Sequence, residues 1–359
     1  MSHRWGKSSG VVVLALMVTF FATITHAQVA GVNPGAYVNA VDDYSNGRPL
    51  MEVVAPLQLW GKSDLETAVD RLILTRDKRR IEMAAILQLE IGLGIIAASP
   101  DGAEIHFNLG DRLLKGLPAT SSEPRDGPQR VRDLQQFSAV WYGVASSGYL
   151  SVTNPKRAAP WIEKAIQLAP KSAALKTIEG AVNEIDANGF TPDRFLTLSQ
   201  KSRATMERLR RLAMAEGCFR DAVEADPSYA KGHIMLGRVQ FLLGKIPQSR
   251  QQIERGLALA KLPAEQYLAA LFLGGVKEQQ RDAAGARESY EQALKILPQG
   301  QSAMVALAYL DLIAGRPDRA QALARSFASA PADDRAWWAY RNGGLDDEGL
   351  ATIRARVPR

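Results

Sequence analysis

The sequence predicts an all-α fold, a solenoid of stacked helical hairpins. Three observations predict it. A stretch near 34 residues long recurs in the C-terminal half, over 230–263, 267–298 and 301–331. Within each copy, two apolar runs of helical period are separated by a break near Gly244, Arg281 or Gly315. No segment shows the strict alternation of a half-buried strand, and the most β-like patch, Val53-Val54, is too short for one. Self-similarity at this period is the mark of a repeated supersecondary unit. A single hairpin cannot bury its apolar face alone, so its neighbours must stack on it.

The copies align at defined slots. Leu236-Gly237, Leu273-Gly274 and Leu307-Ala308 share one, and Ser249, Ala286 and Ala320 another. Ile253, Tyr290 and Ala324 share a third, Gly256, Ala293 and Phe327 a fourth, and a proline closes each copy. Small residues at these slots let the two helices of a hairpin approach closely. The slots resemble the tetratricopeptide repeat (TPR), whose pattern runs aromatic, Leu-Gly, a later Ala, an aromatic, Ala and a closing Pro. Agreement lies at the small positions and the prolines. At the first aromatic position the pattern has Trp, and here stand His233, Ala270 and Met304. The resemblance implies a right-handed superhelix in which the first helix of each unit lines a concave groove that holds peptides or partner helices.

At the start of the chain, Arg4 and Lys7 precede an apolar run over 11–24, and Thr25-His26-Ala27 supplies small residues before Gln28. This order is that of a secretory signal peptide over 1–27, cleaved after Ala27, which would place the mature chain in the periplasm or outside the cell. The apolar run is too short for an ordinary spanning helix, although an uncleaved anchor is the rival reading. No cysteine stands directly after the run, which excludes a lipid-anchored form. Residues 28–62 hold a short helical hairpin, 34–44 and 50–59, split by Asn46-Gly47-Arg48-Pro49. Degenerate helical repeats follow over 63–138. Ser63-Asp64-Leu65-Glu66 reads as a capping box opening a helix to about 77, and a second helix spans 80–97. Asp101-Gly102-Ala103-Glu104 reads as another box, opening a helix to about 115. The stretch 118–129, rich in Pro, Ser and charge, is predicted to be a mobile loop.

The repeats proper are assigned to 139–334, as units 139–172, 173–229, 230–266, 267–300 and 301–334. The first carries Trp141, Tyr142 and Tyr149, then Ala158, Ile162, Ala165 and Pro170. The second has Glu179-Gly180 in the Leu-Gly slot and ends with Ala215, Phe219, Ala222 and Pro227, with extra residues around Asn188-Gly189-Phe190-Thr191-Pro192. Those residues read either as a loop inserted on a binding face or as part of a longer second helix, 195–225, that overhangs its neighbours. Residues 335–359, with Trp337, Trp338 and Tyr340, form a C-terminal cap that covers the last apolar face. The sharper alternative is an exposed aromatic anchor at Trp337 and Trp338.

The resemblance also implies where a partner would bind. Matching the groove positions gives Lys231, Ile234, Arg238 and Phe241 in the first clear unit. The next gives Leu268, Leu271, Gly275 and Glu278, and the last Ser302, Val305, Tyr309 and Leu312. Chaperone-binding members hold a C-terminal carboxylate with Lys and Asn at such positions. Here Ile234 and Leu271 stand in place of Lys, and Arg238 and Gly275 in place of Asn, so that clamp is missing. The remaining groove is mixed apolar with one basic spot. Ile234, Leu271 and Val305 read equally as packing between repeats.

Composition excludes several functions. The formal charge of +6 falls to +4 once Arg4 and Lys7 leave with the signal. The basic runs 76–80 and 203–211 are interspersed with acidic residues, the pattern of a solvated helix face rather than a nucleic-acid stripe. Cys218 is the only cysteine, so no internal disulfide can form, and beside Phe219 it reads as a buried structural thiol. After cleavage only His106 and His233 remain, with no zinc-binding spacing and no Gly-x-Ser-x-Gly elbow. Trp60-Gly61-Lys62-Ser63 imitates the end of a phosphate-binding loop, but Pro56 stands where that loop needs a glycine N–H. The carboxylate pairs Asp42-Asp43, Asp333-Asp334 and Asp346-Asp347 fall at turns or helix starts. The sequence therefore points to no catalytic site, cofactor or metal. It points to an exported scaffold that binds a protein or peptide through its groove. The alternative is a periplasmic part of polysaccharide or outer-membrane assembly machinery that binds a glycan or a membrane complex.

Overall fold

A computed structural model describes residues 34–57, 61–117, 127–190 and 197–329. The predicted signal peptide, most of the predicted loop (118–126), residues 191–196 and the C-terminal cap with Trp337 and Trp338 lie outside the described residues. Residues 127–129, expected in that loop, instead form the first turn of a helix. Every regular element among the described residues is an α-helix. The chain divides into two compact units at Val152/Thr153, inside the first predicted repeat.

The first unit holds α1 (Pro34–Ser45), α2 (Leu50–Leu57), α3 (Lys62–Leu74), α4 (Lys78–Ile95), α5 (Pro100–Gly116) and α6 (Gly127–Ser151). Helix α4 is its centre and packs against α1, α3, α5 and α6. It is buried almost all round from Met83 to Gly92, as expected of a helix enclosed on every side. Close approach depends on glycines facing rings. A Cβ on Gly92 would lie 2.4 Å from the Phe107 ring, and one on Gly110 would lie 2.3 Å from the Trp141 indole. Trp141 buries its full side chain and donates Nε1–H to the Ala85 carbonyl at 2.9 Å. Phe107 meets Trp141 and Tyr149 edge to face, with centroids 6.2 and 5.4 Å apart.

Two predicted caps are corrected. Helix α3 is capped at Gly61, because the Asp64 carboxylate accepts from the Gly61 N–H at 3.2 Å; Ser63 lies inside the helix. Helix α5 is capped at Ser99, whose hydroxyl accepts from the Gly102 N–H at 3.1 Å, with Pro100 in the first turn. Asp101 is therefore helical, and Glu104 accepts from the Tyr149 hydroxyl instead of closing a box.

The second unit holds α7 (Pro155–Leu168), α8 (Ala173–Asn188), α9 (Leu198–Ala225), α10 (Ala230–Leu242), α11 (Ile246–Leu259), α12 (Pro263–Gln279), α13 (Ala283–Ile296), α14 (Gln301–Ile313) and α15 (Pro317–Ser329). Four hairpins follow one another: α8/α9, α10/α11, α12/α13 and α14/α15. The second helix of each packs on the first helix of the next, and the first helices α8, α10 and α12 also touch in sequence. The shared small slots are where paired helices meet. A Cβ on Gly180, Gly237 or Gly274 would lie 2.4, 2.5 or 2.2 Å from Phe219, Ile253 or Tyr290 respectively.

Three of the turns repeat one geometry. Gly244, Arg281 and Gly315 have φ of 75°, 63° and 69°. Around each, the two hydrogen bonds of a Schellman end form: Gly244 N to Phe241 O (2.9 Å) with Lys245 N to Gln240 O (2.9 Å) in the first case. Arg281 and Asp282 repeat this onto Glu278 and Lys277, and Gly315 and Arg316 onto Leu312 and Asp311. Helix α9 runs unbroken for 28 residues, yet its fully buried residues begin only at Leu212. Its N-terminal half overhangs, with Leu198 and Met206 exposed. Thr197 and Gln200 cap it reciprocally.

Polar latches join successive hairpins. Glu216 on α9 accepts from Lys245 Nζ at 2.6 Å and from Gln240 Nε2 at 3.3 Å. Arg287 on α13 reaches Asp311 on α14 at 2.5 Å, and Arg316 Nε lies 3.0 Å from the same carboxylate. Asp311 is fully buried, so its charge is held by this arginine cluster.

Candidate functional site

The first helices of the last three hairpins bring five of the sequence-predicted groove residues together: Arg238, Phe241, Leu271, Gly275 and Ser302. Helical spacing puts Arg238 and Phe241 on one face of α10. Leu271 and Gly275 share a face of α12, and Ser302 and Ala306 a face of α14. With Phe272 and Tyr290 these side chains line an open cavity of about 210 Å³. The Arg238 guanidinium carbon lies 5.1 Å from the Phe272 ring centroid and 5.8 Å from that of Phe241. These are cation–π distances, so the flat cation is held by rings from adjacent hairpins. Gly275 keeps the cavity open. A Cβ there would meet only the Tyr290 hydroxyl at 3.8 Å and Phe241 at 4.0 Å.

The cavity wall is fixed by a buried phenol. Tyr290 donates its hydroxyl to Glu278 on the facing helix. Burial, followed by the hydrogen bond to Glu278 and then its charge, pushes its pKa well above the ordinary range, so it stays a neutral donor. Glu278 thus anchors a residue of the wall. Beyond the cavity, Val305, Tyr309 and Leu312 are 52, 55 and 60% exposed along α14. Lys231 is half-buried at the start of α10. Ile234 is only 2% exposed and faces Gly256 of its own hairpin, so it belongs to the core. Leu268 is likewise buried.

Sequence reasoning did not place Phe272, Tyr290 or Ala306 at the cavity. Phe272 falls outside the positions that the family resemblance assigns to the groove. Tyr290 was assigned to a packing slot, which it also fills. An aromatic one hairpin away from an arginine carries no sequence signal by itself.

The remaining chemistry-bearing residues are engaged in structure. His233 is buried, with Nε2 3.1 Å from the Pro227 carbonyl and Nδ1 2.7 Å from Gln252 Oε1. His106 Nδ1 lies 2.7 Å from Gln88 Oε1, and Gln88 donates to Tyr37, which ties α5, α4 and α1 together. Desolvation lowers the His106 pKa from 6.5 to about 4, so it is neutral near pH 7. Burial, reinforced by Glu179, raises the Cys218 pKa to about 12, which keeps it a thiol. Among the described residues, no three His, Cys, Asp or Glu side chains gather where a metal ion could sit. None of the described helices is long and apolar enough to cross a membrane.

No family model and no curated protein matches the chain. Solved structures do. PilF of Pseudomonas aeruginosa is 18% identical, over 62% of this chain and 90% of that one, with a TM-score of 0.43. A thermophilic TPR protein of Thermus thermophilus is 19% identical, over 63% and 97%, with a TM-score of 0.41. Yeast Tom70 is 13% identical, over 96% and 69%, with a TM-score of 0.43. What defines the architecture is the internal geometry: paired helices meeting at glycine slots, recurrent Schellman ends, and each second helix stacked on the next first helix. The second unit of this chain is an array of tetratricopeptide-like helical hairpins.

Proposed function

We propose that this chain is an exported scaffold that binds a segment of another protein in the groove formed by α10, α12 and α14. One observation carries the reading. Three successive first helices present an open, mainly apolar cavity with a single ring-held cation, next to exposed apolar side chains. Such a surface removes apolar area from water when a protein segment covers it, and an Arg with aromatics is the usual make-up of an interface anchor. Export rests on the order of charge, apolar run and small residues over 1–27. The hydrogen-bonded state of the two mature histidines, each engaged with a glutamine, favours binding over chemistry.

The test is in-cell crosslinking of the tagged chain followed by mass spectrometry, beside a variant with Arg238→Glu and Tyr309→Ala. One dominant protein partner, lost in the variant, is the expected result. A partner indifferent to the variant, or none, would overturn the groove reading. The same mass spectra report export directly: a mature N-terminus at Gln28 is expected, and an intact Met1 would refute cleavage.

A further inference from the structure

The half of α9 that precedes its first buried residue, Leu212, runs from Leu198 to Arg211. At helical rise this half is about 20 Å long. It is not a plain solvated helix. Leu198 is 85% exposed, Met206 68% and Leu209 40%. Helical spacing puts these three side chains on one face. The same spacing sets Lys201 and Arg208 along one edge of that face, and Arg203 and Arg210 along the other. The acidic residue of this half, Glu207, lies away from the apolar face and accepts from Arg210 Nη2 at 2.5 Å and Arg211 Nε at 3.0 Å. Arg211 also pairs with Asp186 of α8 at 3.0 Å, which ties the root of the overhang to its hairpin. Residues 198–211 hold five basic side chains (Lys201, Arg203, Arg208, Arg210, Arg211) against Glu207, so their net charge is 5 − 1 = +4.

An exposed apolar stripe between two basic edges has the chemistry of a helix that lies in a membrane interface. There the apolar side chains enter the acyl boundary, and the long basic side chains reach up on both sides to the headgroups. A nucleic acid would satisfy the basic edges but not the aliphatic stripe between them, which offers no ring for a base to stack on. A lipid surface supplies phosphates on both sides of the helix and hydrocarbon beneath it. We propose that the overhanging half of α9 docks on an anionic lipid surface. Leu198, Met206 and Leu209 face the acyl chains, while Lys201, Arg203, Arg208 and Arg210 meet the lipid phosphates. This contact uses none of the groove residues, so it stands or falls independently of the protein-binding reading.

Sedimentation of the mature full-length chain with vesicles tests it. Vesicles of equal parts phosphatidylglycerol and phosphatidylcholine should bind the chain at least about tenfold more tightly than phosphatidylcholine alone, and added salt should weaken the binding. Replacing Arg203 and Arg210 together by Gln should weaken it about ten- to thirtyfold. Replacing Met206 and Leu209 together by Ser should weaken it about tenfold. A nitrobenzoxadiazole label on Met206→Cys, in a Cys218→Ser chain, should brighten and shift to the blue with the anionic vesicles. The same label on Glu288→Cys, exposed on α13, should not. Equal binding to both vesicles, binding to neither, or binding indifferent to Arg203→Gln with Arg210→Gln would overturn the proposal. A Met206 label that vesicles leave unmoved would also overturn it, since charge alone would then recruit the chain. Crosslinking of position 206 to a protein in cells, without vesicle binding, would reassign the face to a protein partner.

Discussion

Replacing Gly274 by Ala should loosen the α12/α13 hairpin, although Ala is the better helix former. The gain from helix propensity is about 1 kcal/mol in an open helix interior. Against it stands the Tyr290 ring: the new Cβ would lie 2.2 Å from Cε1 and 2.5 Å from Cδ1. The ring cannot simply retreat, because it is buried and its hydroxyl is bonded to Glu278 on the same helix as Gly274. Overpacking of this kind costs about 1–3 kcal/mol, so a net loss of up to about 2 kcal/mol is expected. Gly217→Ala is the control. A Cβ there meets nothing within 4 Å, so the propensity gain of about 0.5–1 kcal/mol should appear alone. Tyr290→Ala costs about 3–5 kcal/mol by itself, but in its background Gly274→Ala should turn neutral or stabilising. The third copy already holds Ala308 and Ala324 at these two slots in its sequence. Urea unfolding followed by circular dichroism gives the ordering, and hydrogen exchange localises the effect to α12 and α13. If Gly274→Ala stabilised as much as Gly217→Ala, the close approach of the paired helices would be refuted.

Arg281 holds a left-handed turn at φ 63° that its equivalents give to glycine. Arg281→Gly should therefore raise stability by about 1 kcal/mol in urea unfolding. Asp311→Ala should cost about 3 kcal/mol and Arg287→Leu less, with a sub-additive double variant, because Arg287, Arg316 and Arg319 share one buried carboxylate. His106 has a folded pKa of about 4 against an ordinary 6.5. The unfolded chain binds its proton first, so this contribution to stability is full above pH 6.5 and shrinks as pH falls towards 4. The total is up to about 3 kcal/mol. His106→Gln should flatten the slope of unfolding free energy between pH 6.5 and 4.5.

The repeat was legible because hairpin packing writes itself into sequence. Gly180, Gly237 and Gly274 are small for the same steric reason in each copy, and the breaks at Gly244, Arg281 and Gly315 fall on the turns. Helix starts were less legible. Ser63 and Asp101 satisfy the spacing of a capping box, but Gly61 and Ser99 two residues earlier also offer a start, and tertiary packing selects among them. The groove face was legible on α10 and α14 by resemblance to the repeat family. Ile234 was not separable from it, since one helix turn decides between groove and core. Phe272 and Tyr290 reach the cavity only through the packing of one hairpin on the next. The latches Glu216–Lys245 and Arg287–Asp311 were invisible for the same reason.

The central claim is that binding occupies the first-helix face of the second unit. A photo-crosslinking residue at Tyr309, compared with one at the exposed Glu288 of α13, tests it in living cells. The account predicts a discrete crosslinked protein from position 309, none from position 288, and loss of the product when Gly275→Leu fills the cavity. Equal crosslinking from both positions, or a product that survives Gly275→Leu, would contradict it.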